Sequence, residues 1–197
     1  MKVEEVTLTG TGTTHEIIDI VSTAKASMMT LRDVRLRAGP EPEFKLKLDG
    51  IGIAGLSASQ GTIQSLLSAA SPDGISVQYH VSVMRHILAA DFQCTSLLVE
   101  NCDFTQFRFP RDTAFRCDQC NLIDCTISAE LLWRLAQGTR AETVRMLSGV
   151  IKEPNALVMA SPHLPSSMAH IDLNATEGAQ PIVEWLRSFP NDLEIWW

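Results

Sequence analysis

Two cysteines, Cys117 and Cys120, stand at a spacing that occurs in zinc and redox sites, and all five cysteines lie between Cys94 and Cys125. A C-x-x-C pair supplies two thiolate ligands, and a tetrahedral zinc site needs two more thiolates or imidazoles. Cys102 and Cys125 could supply them, but they form no second short pair. The favoured interpretation is buried, reduced thiols used as small hydrophobic residues. A zinc-binding module through Cys117 and Cys120 is one alternative.

A second stretch with chemical potential runs from Gly50 to Gly55 and matches the G-x-G-x-x-G fingerprint of dinucleotide sites. Two features weaken the match. The preceding strand pattern is half polar, and the apolar helix pattern begins only at Ile63, too late to place a helix dipole at the glycines. A nucleotide- or phosphate-ligand-binding enzyme that uses this loop is the other alternative function.

The histidines suggest little further chemistry. A nucleophile–base pair formed by Ser161 or Ser167 with His170 stays open, because such sites are assembled in space. No segment resembles the G-x-S-x-G elbow of the hydrolases. We therefore assign no catalytic, cofactor-binding or metal-binding residue, and we expect no cofactor.

Five other residues are candidate partner contacts. Arg32, Arg35 and Arg37 share the polar side of a predicted strand, where they could dock an acidic partner, although a solvated face is the commoner explanation. Trp196 and Trp197 end the chain, and tryptophan is enriched at interface hot spots. Packing of this tail on the molecule's own sheet is the alternative, and we favour it. The expected partner is another protein or a second copy in a homodimer.

Composition limits the class of protein. The 197 residues are 45% hydrophobic and 20% charged, which is close to the average of globular domains. The net charge of −7 argues against non-specific nucleic-acid binding. The first residues lack a signal-peptide pattern, no apolar run approaches the ~18 residues of a membrane span, and the cysteines are odd in number. We expect a single cytoplasmic domain over residues 1–197, with no nucleic-acid or membrane partner.

Apolar periodicity predicts the elements that carry these residues. The capping box Thr13-x-x-Glu16 predicts a helix over about residues 14–26. Alternating residues predict strands around 29–37 and 44–48 that form a hairpin, and another strand over 77–83. Helical spacing returns after Ser128, at residues 131–135 and 144–151, and again from about Pro181.

A five-residue grid runs through residues 90–128. Its larger centres are Phe92, Leu97, Phe104, Phe109, Cys117, Leu122 and Ile127, and mostly small or sulfur-bearing residues stand two positions before them. Asp or Asn lies between the two positions in three units, as in Cys102-Asp103-Phe104. This segment resembles the pentapeptide-repeat family. The resemblance implies a short right-handed parallel β-helix that presents a contact surface. Ordinary strands of a sheet are the alternative.

These observations predict a mixed α/β (α+β) fold in three sub-regions. Residues 1–89 carry mixed strands and helices, residues 90–128 form a short parallel β-helix-like segment, and residues 129–197 form a helical C-terminal third. The predicted function is a non-catalytic, bacterial-type protein-interaction module, such as a regulator, an immunity-type inhibitor or an effector.

Overall fold

A computed structural model describes residues 4–153, 168–188 and 192–197 of the chain. The strands are β1 Glu5–Thr13, β2 Met28–Arg37, β3 Leu48–Ile53, β4 Leu56–Ser57, β5 Pro72–Gln78, β6 Gln93–Glu100, β7 Arg116–Ile123, β8 Thr126–Ser128, β9 Thr143–Leu147, β10 Val150–Lys152, β11 His170–Asp172 and β12 Glu194–Trp196. The helices are α1 Thr14–Ala24, α2 Gln60–Ala70, α3 Val81–Leu88, α4 Ala129–Thr139 and α5 Ala179–Arg187.

Ten of these strands form one parallel sheet in the order β1-β2-β3-β5-β6-β7-β9-β11-β12, with β4 paired to β2. Strands that follow one another along the chain are therefore neighbours in the sheet, and each returns in the same direction. Strands β8 and β10 pair in a second, short parallel ladder. The chain is a β/α solenoid, in which each coil contacts mainly the coils before and after it.

The sheet forms because three inward apolar positions recur at the spacing a-x-x-b-x-c in the coils of β2, β3, β5, β6, β7, β9 and β11. In β3 they are Leu48, Ile51 and Ile53, which are all buried. The central position of each later strand is in register with Ile51, at Ile75, Leu97, Cys120, Val144, Ile171 and Ile195. Successive central positions are separated along the sequence by a number of residues within the range of about 20–29, which is the repeat length of leucine-rich-repeat solenoids.

A residue with positive φ stands four positions after the central residue in each of the first eight coils of the long sheet. These residues are Gly10, Asp33, Gly55, Tyr79, Asn101, Asp124, Ser148 and Ala175. The left-handed conformation turns the chain out of the sheet and is easiest for glycine, asparagine and aspartate. It keeps the ladder bonded, because Asn101 N donates to Ile123 O at 3.0 Å and Asp124 N donates to Leu147 O at 3.0 Å.

Side-chain caps begin three of the helices. Thr13 N donates to Glu16 Oε2 at 2.7 Å, and Glu16 N donates to Thr13 Oγ1 at 3.3 Å, so the predicted capping box at the start of α1 is confirmed. Ser59 caps α2 and Ser128 caps α4 in the simpler way, through one backbone donor each. These caps satisfy amides that the helices leave without an internal partner.

The helices and the inward side chains of the strands share one hydrophobic core. Near the C-terminal end of the solenoid, Trp133 of α4 and Trp185 of α5 pack edge to face with their ring centroids 5.2 Å apart. The outward side chains of the strands face away from this core. The described part of the chain thus covers the sheet on one face only, which is unusual for parallel strands. Among the described helices, none is long and apolar enough to cross a membrane.

The predicted α+β arrangement is wrong, because ten strands form one parallel sheet and the helices are distributed along the chain. The C-terminal third is not helical: it contains α4 and α5 but also four strands, β9 to β12. The expected β-helix-like segment at 90–128 consists instead mainly of β6 and β7, two neighbouring strands of the long sheet that are separated by one full coil of the chain. No comparison tests the family resemblance, which stays a prediction.

Two local predictions fail for a related reason. The hairpin at 29–48 does not form, because β2 and β3 are parallel and β3 begins only at Leu48. The strand expected over 77–83 ends at Gln78, and α3 begins at Val81. An alternating pattern shows which residues are buried, but it does not show in which direction the next strand runs.

Candidate functional site

The uncovered face of the sheet carries two rows of outward side chains, and we call it the open face. The rows run perpendicular to the strands, because each residue is in register with its neighbour in the next strand. One row is Thr7, Thr30, Gly52, Ser76, Leu98, Asn121, Arg145, Asp172 and Trp196. The other is Glu5, Met28, Gly50, Gly74, Ser96, Gln119, Thr143, His170 and Glu194.

The middle of the open face is a depression, which we call the trough. Its floor is made by residues with little or no side chain in three neighbouring strands, Gly50 and Gly52 of β3, Gly74 and Ser76 of β5, and Ser96 of β6. The trough has a volume of about 330 Å³. A partner side chain placed there would reach nearly to the backbone of the sheet.

Close packing across the strands explains two of these glycines. A Cβ atom on Gly52 would lie 2.7 Å from Thr30 Oγ1, and one on Gly74 would lie 2.8 Å from Ser96 Oγ. Both distances are shorter than real Cβ contacts allow unless the hydroxyl moves. The hydroxyl groups of the neighbouring strands therefore occupy the space that side chains would need at these two positions.

The trough has apolar side chains at its two ends and hydrogen-bonded polar groups along its borders. Met28 on β2 is 42% exposed, and Leu98 on β6 is half-buried. Gln78 Nε2 donates to Glu100 Oε2 at 2.5 Å on the border beside the turns. This mixture of apolar and polar groups around a depression is typical of a surface that binds another molecule.

The C-terminal end of the open face is aromatic. Trp196 is 59% exposed, and its ring lies 5.2 Å from the ring of His170 in the neighbouring strand. His170 Nδ1 is 3.2 Å from Glu194 Oε2. Trp197, which is 54% exposed, lies under the guanidinium group of Arg187 at 5.6 Å from its ring centroid. The two terminal tryptophans therefore contact their own chain with one side and present the other to solvent.

The structure separates the three arginines that were candidate partner contacts. Arg32 lies before the turn at Asp33, on the sheet side, whereas Arg35 and Arg37 lie after it. Arg35 is in register with Thr11 and Ser57, beyond the open face. The three arginines therefore do not share one polar face. Arg32 lies on the open-face side of the turn at Asp33, and Arg35 and Arg37 lie beyond that turn.

Most of the predicted glycine loop is a strand, and Ala54 and Gly55 form the short connection between β3 and β4. Gly50 and Gly52 are interior residues of β3, in register with Met28 and Thr30 on one side and with Gly74 and Ser76 on the other. Helix α2 starts only at Gln60. Phosphate sites of this type need free backbone amides at a helix N-terminus, and the sheet ladder uses the amides of these glycines.

All five cysteines are free and buried. Burial raises the pKa of Cys94, Cys102 and Cys117 to about 12, and it raises the pKa of Cys120 well above its ordinary value. Metal binding and redox chemistry need the thiolate, which this environment disfavours. Among the described residues, no group of three or more His, Cys, Asp and Glu side chains is placed to hold a metal ion.

Two candidates remain, the predicted serine nucleophiles and a groove at the first coil. Ser161 and Ser167, the nucleophiles considered for His170, lie outside the described residues. A groove of about 670 Å³ lies between β1 and α1, and its walls include Leu8, Gly10 and Ile20. It forms at the first coil, on the side where the described chain has no further coil.

Sequence reasoning missed the trough and the rows of the open face. The signal that could have found them is the recurrence of one pattern in two segments. Cys94-x-x-Leu97-x-Val99-x-x-Cys102 returns one coil later as Cys117-x-x-Cys120-x-Leu122-x-x-Cys125, and Cys94 pairs with Cys117 in the sheet. When the two segments are aligned at this repeat, the residues on either side of the central inward position fall on the open face.

Comparison with protein-family models, with curated proteins and with solved structures finds no match to this chain.

Proposed function

We propose that this chain is a non-catalytic protein-interaction module that binds a partner protein across the open face of its sheet. The observation that carries the proposal is the uncovered parallel sheet with the trough at its centre. Solenoid proteins use such extended surfaces to bind partners, because the stacked coils place side chains in regular rows. A regulator, an immunity-type inhibitor or an effector would each use a surface of this kind.

The side chains that project around this surface support the proposal. Trp196 lies on the open face. Tyr79, which is 70% exposed, lies in the turn that follows β5, at the border of the open face. Arg145 lies in the same row as Trp196. Tryptophan, tyrosine and arginine are the residue types that most often dominate binding energy. Three of the exposed residues thus have the chemistry of interface anchors.

The proposal includes a cytoplasmic location. Five buried thiols without a disulfide are the usual state of cysteine in a reducing compartment. Retention of all five thiols in protein isolated from the cells that produce it, measured by mass spectrometry after alkylation, is the expected result. A disulfide in freshly isolated protein would contradict this part of the proposal.

A photo-crosslinking residue tests the binding face directly. Placed at Gln119, which is exposed on the open face beside Ser96, it should capture a defined protein from an extract of the source cells. Placed at Glu130, which is exposed on α4, it should not. Equal capture from both positions, or no capture from Gln119, would overturn the proposal.

A matched pair of substitutions adds a second criterion. Ser76→Trp fills the trough without touching the core, whereas Ser82→Trp places the same side chain on the exposed surface of α3. The crosslink from Gln119 should be lost with Ser76→Trp and retained with Ser82→Trp. Circular dichroism and melting temperature should show that both variants are folded. A crosslink that survives filling of the trough would mean that the partner binds elsewhere.

A further inference from the structure

The open face carries more negative than positive charge. Among the described residues, its strands and the residues just before them carry the carboxylates of Glu5, Asp49, Asp73, Glu100, Asp118, Glu142, Asp172 and Glu194. The cationic side chains on or beside the same strand surface are fewer: Lys25, Arg32, Lys47, Arg116, Arg140 and Arg145. The surface is therefore net negative, in a protein whose total formal charge is already −7.

Four of these carboxylates form a border where the strands begin, which we call the acidic margin: Asp49, Asp73, Asp118 and Glu142. Asp49 and Asp73 are neighbours on adjacent strands, because they lie between the paired residues Leu48–Pro72 and Gly50–Gly74. Asp118 and Glu142 are also neighbours, because Glu142 N donates to Asp118 O at 3.0 Å. The margin thus follows the same perpendicular direction as the rows of the open face, and Asp49 also lines the trough.

Three of the four carboxylates of the acidic margin have no ion-pair partner within the described ranges. Lys47 forms an ion pair with Asp73. Among the described residues, no salt bridge engages Asp49, Asp118 or Glu142, and all three are exposed. Unpaired like charges on one border repel each other modestly, and a cationic partner removes that repulsion when it binds.

We infer that the partner meets the open face with a cationic segment, whose lysine or arginine side chains face the acidic margin while a bulky apolar side chain enters the trough. This inference rests on the proposed function and specifies its partner. Electrostatic complementarity of this kind accelerates encounter and selects among partners. The apolar side chain of the partner would be buried in the trough, because the trough floor has almost no side chains of its own.

The same charge distribution argues against two other occupants. A second copy of this chain would bring its own acidic face, with the same net charge of −7, against the first. A nucleic acid would place a row of phosphates against the unpaired carboxylates of Asp49, Asp118 and Glu142, which repel them. A basic segment of another protein is the occupant that gains from the unpaired carboxylates of Asp49, Asp118 and Glu142.

An unbiased peptide selection tests this inference separately from the proposed function. A random peptide library displayed on phage is selected on the folded protein, with depletion on the Ser76→Trp variant. Enriched peptides should carry a net positive charge and at least one large apolar residue. Enriched peptides that are neutral or acidic would overturn the cationic inference and leave binding at the trough intact. No peptide that distinguishes the parent from Ser76→Trp would count against both.

Two charge-matched triple variants measure the role of the margin. Asp49→Asn/Asp118→Asn/Glu142→Gln removes three charges from the margin, and Asp19→Asn/Glu130→Gln/Glu184→Gln removes three from exposed helix positions. An enriched synthetic peptide should bind the first variant about tenfold more weakly than the parent, since each surface ion pair contributes ~0.2–1 kcal/mol. The second variant should bind within about twofold. Equal weakening of both would show a general charge effect and overturn the inference.

Discussion

The two faces of β7 are built from alternating residues of one strand, yet they differ in almost every property. On the inner face, Cys120 and Leu122 are completely buried and contact the shared core. On the open face, Gln119 is exposed and Asn121 is half-buried. The inner residues are constrained by packing against helices, and the outer residues are not. The difference indicates that stability resides mainly on one side of each strand and that binding specificity can reside on the other.

The largest effect is expected from a charge placed on the inner face. Leu122→Asp should unfold the protein, because an unpaired buried carboxylate costs several kcal/mol against a total stability of ~5–15 kcal/mol. Asn121→Asp, one residue earlier on the open face, should change the free energy of unfolding by less than about 1 kcal/mol. Circular dichroism and urea denaturation measure both. A stable Leu122→Asp variant would show that the inner face has been assigned wrongly.

A smaller loss of stability is expected from a substitution at Gly55, in the turn where the chain leaves the sheet after β3. Gly55 has φ +140°, and a Cβ atom there would lie 2.6 Å from Asp33 N. Gly55→Ala should therefore destabilise the protein by about 2 kcal/mol or more, because it adds backbone strain and a clash with a backbone atom.

Gly61→Ala is the matched control for the turn. Gly61 lies in α2 with nothing within 4 Å of an added Cβ, so alanine should stabilise the protein by roughly 0.5–1 kcal/mol. The two variants should shift the urea midpoint in opposite directions. Equal shifts would contradict the special role of the turn residue.

The buried thiols make stability depend on pH in the alkaline range. Unfolded cysteines ionise near pH ~8.5, whereas burial raises the pKa of Cys94, Cys102 and Cys117 to about 12 in the folded protein. Above pH ~8.5 the unfolded chain therefore releases protons that the native state retains. The free energy of unfolding should be unaffected by these groups below that pH and should fall as pH rises towards 12.

Urea midpoints at pH 7.5, 8.5, 9.5 and 10.5 test this dependence. Cys120→Ala, which removes one buried thiol, should make the alkaline decline shallower. An unchanged slope would mean that the thiols are not its cause. In agreement with burial, a thiol reagent at pH 8 should react slowly with the native protein and rapidly with five thiols in denaturant.

The smallest effect is expected at the exposed end of the sheet. Trp197→Ala should lower the free energy of unfolding by less than about 1 kcal/mol, because the residue is 54% exposed and its described ring contact is the guanidinium group of Arg187. Trp185→Ala, on the buried side of α5, should cost ~3–5 kcal/mol. Similar losses for the two variants, measured by thermal denaturation, would show that the C-terminal tail is part of the core.

The sequence alone determined which residues are buried and where some helices begin. The grid centres Leu97, Phe104 and Leu122 are all inside the core, and the capping box places the start of α1 correctly. Both features are local: burial follows from the type of residue, and a cap needs only residues three positions apart.

Only the tertiary structure decided how these residues are arranged. The trough joins Gly50, Gly74 and Ser96, which belong to three successive coils and are adjacent only because their parallel strands share one register. The connections between strands vary in length and in helix content, so the repeat is irregular and a shorter five-residue pattern masked it. The open face is a product of strand register, and register is set by pairing between distant segments rather than by any local pattern.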